Sequence, residues 1–225
     1  PSKAKDLQRF FKTGKGDYGE GDIFIGITVP EQRKIALEFK DLNFNEINEL
    51  LDSEIHEKRM IALLILIEQF KKAFKEKDEN LKKEIFELYL KKAYENRINN
   101  WDLVDLSAPR IVGGYLLNKN REILYELAKS NNLWEKRISV LATFMFIKEK
   151  DFKDALKISE ILLNDKHDLM HKAIGWMLRE IGKKDIKTLE DFLKKYYLKM
   201  PRTMLRYAIE RFEDNKRKKY LKGEI

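Results

Sequence analysis

Trp101 and Asp105 stand four residues apart in the stretch Asn99-Asn100-Trp101-Asp102-Leu103-Val104-Asp105-Leu106-Ser107-Ala108-Pro109. On a helix that spacing puts the indole and the carboxylate on one face. A ring face attracts cations and a carboxylate adds charge attraction, so the pair suits a cationic ligand. Asn100 is placed to cap such a helix. The same residues also fit a plainer role, a packed Trp with Asp102 or Asp105 as a cap.

Three further segments carry residue types of interest. In His167-Asp168-Leu169-Met170-His171-Lys172-Ala173-Ile174-Gly175-Trp176-Met177-Leu178-Arg179 the two histidines have the i, i+4 spacing of a metal pair. No Glu lies between them in the zinc-protease position and no third ligand is evident, so no metal site is expected. Gly175 inside that helix is unfavourable by about 1 kcal/mol against Ala, which implies close packing beside Trp176. In Met200-Pro201-Arg202-Thr203-Met204-Leu205-Arg206-Tyr207-Ala208-Ile209-Glu210 the two arginines share a face at a helix start, where free N–H groups also favour phosphate. Surface pairing with Glu210 is the alternative. Between Phe10 and Asp22 lie Gly14, Gly16, Gly19 and Gly21. No Gly-Lys-Ser/Thr follows at the phosphate-loop offset and no βαβ unit surrounds them, so an ordered connection is expected rather than a nucleotide loop.

The elements that must hold these residues are helical almost throughout. Apolar stripes at helical spacing run through Ile61, Leu64 and Ile65; Leu81, Ile85, Leu88 and Tyr89; Ile138, Leu141, Ala142 and Met145; Leu169, Ala173, Met177 and Ile181; and Leu189, Phe192, Leu193 and Tyr196. Asp151, Asp168 and Asp185, spaced 17 apart, are read as helix-start caps. One helix plus one turn per interval suits a stacked array of helix pairs better than a closed bundle. Ile23 to Val29 is the one β-flavoured stretch, and Pro30 is placed to open a helix running to Phe39. No linker or low-complexity region interrupts the chain, so residues 1–225 are read as a single domain.

Hydrophobic residues make up 43% and charged residues 37%, a globular balance with a heavily charged surface. The absence of Cys excludes disulfides, thiolate metal sites and a cysteine nucleophile. The longest apolar run, Ile61 to Ile67, is too short to span a bilayer and reads as a core helix. The stretch Pro1 to Arg9 is polar and lacks an apolar signal region, so the expectation is a cytoplasmic protein without membrane contact. The net charge is +8, and from Gly182 to Ile225 there are 14 Lys and Arg against 7 Asp and Glu. Tyr196, Tyr197, Tyr207 and Tyr220 are interleaved with those charges, which fits a nucleic-acid surface. A solvated face of basic helices is the other reading.

Taken together, the segments resemble the AlkD-type family of alkylpurine DNA glycosylases. The matching stretches are Phe10-Phe11-Lys12-Thr13-Gly14 with Tyr18-Gly19-Glu20-Gly21-Asp22, Val29-Pro30 with Arg33-Lys34, Trp101-Asp102 with Asp105, Ala108-Pro109, Ala173-Ile174-Gly175-Trp176 with Leu178-Arg179-Glu180, and Arg202-Thr203 with Leu205 to Glu210. The resemblance implies an all-α fold, a right-handed superhelical α-solenoid of HEAT-like antiparallel helix pairs with a basic concave face. It implies hydrolysis of the N-glycosidic bond of N3- and N7-alkylated purines in duplex DNA, without metal or organic cofactor, by a monomer. It maps the catalytic trio to Asp105, Trp101 and Trp176. It maps a DNA contact to Arg137, the match there being interrupted by Glu135, and Lys172, Arg179, Arg202 and Arg206 are the further candidate DNA-binding residues. An inactive DNA-binding relative and a protein-interaction scaffold are the competing readings; retention of the trio speaks against the first and the basic C-terminal excess against the second.

Overall fold

In the computed structural model the chain is described over residues 2–225, with side chains from residue 4 onward. Pro1, part of the polar stretch read above, lies outside the described residues. The chain forms two compact units, residues 1–115 and 116–225.

The N-terminal unit contains α1 (Ser2–Phe10), α2 (Val29–Glu38), α3 (Phe44–Leu51), α4 (His56–Glu76), α5 (Glu79–Tyr94) and α6 (Trp101–Ala108). Its centre is α4, which packs against α2, α3, α5 and α6. The run Met60 to Ile67 is buried on every side of that helix, confirming it as core. Each Leu, Ile and Met of the run contributes roughly 1.5–3 kcal/mol by leaving water. Pro30 sits in the first turn of α2, as its fixed φ favours, and Thr28 with Glu31 forms a capping box there. The stretch from Ile23 makes no strand; a lone parallel bridge joins Ile23 to Ile55.

Beyond α6 the helix widens into a π turn, Pro109–Gly113, before one more α turn, α7 (Gly114–Leu116). Pro109 has no N–H to give the carbonyl of Asp105, four residues back, and its ring crowds that carbonyl. The wider turn relieves the crowding, and such turns recur at functional sites.

The C-terminal unit contains α8 (Glu122–Ala128), α9 (Leu133–Ala142), α10 (Phe144–Lys148), α11 (Lys153–Ile161), α12 (Asp168–Lys184), α13 (Ile186–Tyr196), α14 (Arg202–Ala208) and α15 (Asp214–Lys222). Here α12 is central, packed by α9, α10, α11, α13 and α14. Asp185 is both the last residue of α12's cap and the N-cap of α13, accepting from Thr188 N at 3.2 Å. The other two expected caps differ. Asp151 pairs with Arg121 at 2.6 Å, and α11 starts two residues later behind Phe152. Asp168 is already inside α12 and pairs with Lys172, while the His167 ring caps the helix. Charged partners one turn away or on another helix outcompete the free N–H groups for these two carboxylates. Among the described residues no helix is long and apolar enough to cross a membrane.

Candidate functional site

Trp101 opens α6, and its indole is partly exposed. Asn100, fully buried, caps the helix by accepting from Trp101 N at 2.9 Å. The ring belongs to an aromatic stack. Phe11 lies nearly parallel to it at 5.3 Å, Phe24 stacks on Phe11 at 4.9 Å, and Phe10 meets Trp101 edge-on at 6.0 Å. Phe10 is 64% exposed, so the stack ends in an open aromatic surface. Asp105, one turn along α6, is also partly exposed. Beneath α6, the buried Tyr89 hydroxyl lies 2.9 Å from Ser107 Oγ. Burial pushes the Tyr89 phenol up; the Ser107 bond works against this, and the nearby Asp105 charge adds to it.

The glycine-rich segment is an ordered connection, as its sequence suggests, and it reaches the base of α6 through Asp22. One oxygen of Asp22 accepts from Arg59 at 2.5 Å; the other lies 3.0 Å from His56 Nδ1 and accepts from Asn100 Nδ2 at 3.2 Å. His56 Nε2 lies 2.9 Å from Asp102 Oδ2, whose second oxygen accepts from Leu103 N. Glu57 holds the following chain, accepting from Ile25 N and Gly26 N at 3.0 and 2.8 Å. Gly19 must be glycine: a Cβ there would stand 3.0 Å from the Lys12 carbonyl and closer still to that of Phe11. Burial opposes charge on both Asp22 and His56, but their mutual bonding wins. Asp22, bonded also to Arg59, sits below the usual carboxylate range; His56, bonded also to Asp102, sits above the usual histidine value. His56 and Arg59 are functional-site neighbours that local spacing does not reveal. Their one sequence signal is a polar cluster, His56-Glu57-Lys58-Arg59, at the start of the helix that carries the Met60 to Ile67 core run.

In the C-terminal unit Trp176 is partly exposed on α12, its indole N–H donating to Glu180 Oε1 at 3.1 Å, with the Phe144 ring 6.1 Å away. The expected close packing at Gly175 is with α14: a Cβ there would come 2.6 Å from the Met204 carbonyl. Arg179 pairs with Glu210, and Lys172 with Asp168 at 2.6 Å. Arg202 and Arg206 both lie exposed on α14, and Arg202 donates to the Leu221 carbonyl. Arg137 is 4% exposed and its guanidinium donates to the Leu169 carbonyl at 2.5 Å, bracing α9 on α12. His167 and His171 secure the start of α12: the His167 ring accepts from Leu169 N at 3.2 Å, and His171 Nε2 lies 2.6 Å from the Asp165 carbonyl. Of the interleaved tyrosines, Tyr197 and Tyr220 are buried against each other, their rings 5.4 Å apart, and Tyr196 bonds to Glu160. Tyr197 and Tyr220 thus belong to the packing of the C-terminal helices, while Tyr196 and Tyr207 stay partly exposed.

An all-helical chain carrying a partly exposed Trp–Asp pair and a second Trp beside an arginine-bearing helix is the class these observations define. The sequence model of the DNA alkylation repair enzyme family matches residues 1–212, and the chain belongs to that family. Three solved structures share the fold. A protein from Enterococcus faecalis described as a predicted DNA alkylation repair enzyme is 17% identical, with a TM-score of 0.72 over 95% of this chain and 96% of its own. AlkD2 from Streptococcus mutans is 20% identical, with a TM-score of 0.57 over 94% and 97%. The smu.31 protein of Streptococcus mutans UA159 is 19% identical, with a TM-score of 0.56 over 94% and 98%. No curated protein matches the chain.

Proposed function

We propose that this protein is a DNA glycosylase that hydrolyses the N-glycosidic bond of N3- and N7-alkylated purines in duplex DNA, its two units working as one domain. The observation that carries the reading is the Trp101–Asp105 pair, one turn apart on α6 and both partly exposed, in a member of the DNA alkylation repair family.

The chemistry follows from the substrate. An N3- or N7-alkylpurine is already cationic, so it departs without a general acid. The barrier lies in the sugar, which gains oxocarbenium character as the bond breaks. Asp105 stabilises that charge and positions the attacking water. One carboxylate suffices where glycoside hydrolysis ordinarily needs two, because the leaving group is pre-activated. Trp101 holds the cationic nucleotide by cation–π contact, a role the resemblance extends to Trp176. Phosphates fall to Arg202 and Arg206, with Lys172 and Arg179 available if they exchange Asp168 and Glu210 for DNA. A phosphate contact by Arg137 requires its buried guanidinium to become accessible to DNA.

The test is release of free methylpurine from methylated duplex DNA by wild type and by Asp105→Asn. Wild type releases base; the variant loses on the order of 10²–10³-fold in rate, the scale of one lost electrostatic stabiliser, with DNA affinity retained. Salt-dependent binding by both proteins with release by neither identifies an inactive DNA-binding relative and ends the glycosylase reading.

A further inference from the structure

His56 is 1% exposed, yet both its ring nitrogens face carboxylate oxygens, Asp22 on one side and Asp102 on the other. Ionised carboxylates only accept, so a ring that satisfies both must donate from both nitrogens. The charges of the cluster agree. Asp22 and Asp102 face His56, from the glycine-rich connection and from α6. From α4 itself come Arg59, which bonds Asp22, and Glu57, whose carboxylate is taken up by Ile25 N and Gly26 N. The guanidinium and an imidazolium balance the charges of Asp22 and Asp102, while Glu57, also buried, is stabilised by the two backbone N–H groups. With a neutral ring, one carboxylate would lose its donor in a largely buried site, an expensive arrangement. The imidazole faces are covered by Phe24 at 4.4 Å and Phe11 at 5.2 Å. Phe11 is the ring that stacks on Trp101.

We propose that His56 is a positioning residue of the candidate site: as an imidazolium it ties the glycine-rich connection, through Asp22, to the first turn of α6, through Asp102, and so fixes the Trp101 ring and the Asp105 carboxylate. The link is covalently short. Asp102 follows Trp101 directly, and Asp105 lies one turn further along the same helix. Where it concerns excision, the proposal rests on the glycosylase reading. The structural part does not. The sign of the pH dependence is set by the raised His56 value. The tie is complete below the ordinary histidine value of 6.5 and is lost as pH rises through the raised one.

The experiment is a pH titration of ¹⁵N-labelled full-length protein. The histidine ring ¹⁵N signals and the Trp101 indole N–H, assigned with Trp101→Phe, are followed together. At neutral pH both His56 nitrogens carry protons, and the Trp101 signal moves with the single deprotonation on the alkaline side. Asp102→Asn shifts that transition to lower pH. His56→Gln abolishes it, and excision by this variant falls in kcat, on the order of 10²-fold if the site is displaced by about 1 Å, with KM for DNA held and no alkaline limb of its own. A neutral ring with one bare nitrogen at neutral pH, or a Trp101 signal that ignores the titration, overturns the proposal even if His56→Gln does not fold. Wild type that shows the coupled transition but releases no base overturns the glycosylase reading and leaves the positioning role standing.

Discussion

Gly175 offers a test in which two known effects oppose each other and their sizes decide the outcome. Alanine is the better helix former by about 1 kcal/mol, so Gly175→Ala should stabilise α12 if propensity ruled. Its Cβ, however, would stand 2.6 Å from the Met204 carbonyl oxygen, against 3.4 Å for ordinary contact, a shortfall of 0.8 Å. The obstacle is backbone, so no rotamer relieves it and α14 must withdraw. Overpacking of that kind falls at the upper end of the range, about 3 kcal/mol. The net expectation is a loss of about 2 kcal/mol, or roughly 4–8 °C in Tm for a chain of this size. Gly182, on the same helix, is the internal control. There the new Cβ meets chiefly a terminal methyl of Leu189. Turning that side chain costs about 0.5–1.5 kcal/mol, which the propensity gain cancels, so Gly182→Ala leaves Tm nearly unchanged. Thermal unfolding followed by circular dichroism reads both. Equal shifts in the two variants, or a higher Tm for Gly175→Ala, would refute the steric argument. Because α14 also carries Arg202 and Arg206, the Gly175 variant should bind duplex DNA more weakly even at temperatures where it is fully folded.

Two other outcomes follow from the placement of single side chains. Arg206→Ala removes an exposed cation from α14; it should weaken DNA binding uniformly across sequences and flatten the slope of log affinity against log salt by about 0.9, one phosphate's worth, and an unchanged slope would take Arg206 off the interface. Trp176→Ala should reduce base release by roughly 2- to 30-fold, the equivalent of about 0.5–2 kcal/mol of cation–π contact, with helix content intact, whereas a collapse of the circular dichroism signal would make that ring a structural one.

What could be read from the sequence divides by the range of the interactions involved. The α4 core run, Pro30 in the first turn of α2, the Asn100 cap, the shared face of Trp101 and Asp105 and the crowding at Gly175 all depend on residues a few positions apart, or on one residue's own conformational limits. They were legible for that reason. The network around His56 was not, because Asp22 and Asp102 lie 34 and 46 residues from His56, and Asn100 lies 78 from Asp22, so they meet only in the folded chain. Even there, Asp22 and Asp102 stood inside the segments that carried the family resemblance; what spacing could not supply was the histidine joining them. Asp151 and Asp168 misled in the opposite way. Each has the type and position of a cap, but Arg121 and Lys172 offer a full charge where the helix end offers a partial one.

The π turn at Pro109–Gly113 gives the chain a tolerance of length. Its hydrogen-bonded turn holds one residue more than an α turn does, so it is the form a helix takes when a single residue is inserted and both flanks keep their faces. Removing Pro109 itself would let the α6 path run on as regular helix with Asp105 still on its original side and the Tyr115 ring still aimed at Phe86, where it now stacks at 4.3 Å. Single-residue gaps among relatives of this protein should therefore collect at Pro109, and a family alignment that forces that region into strict register would misplace the residues from there to the end of α7.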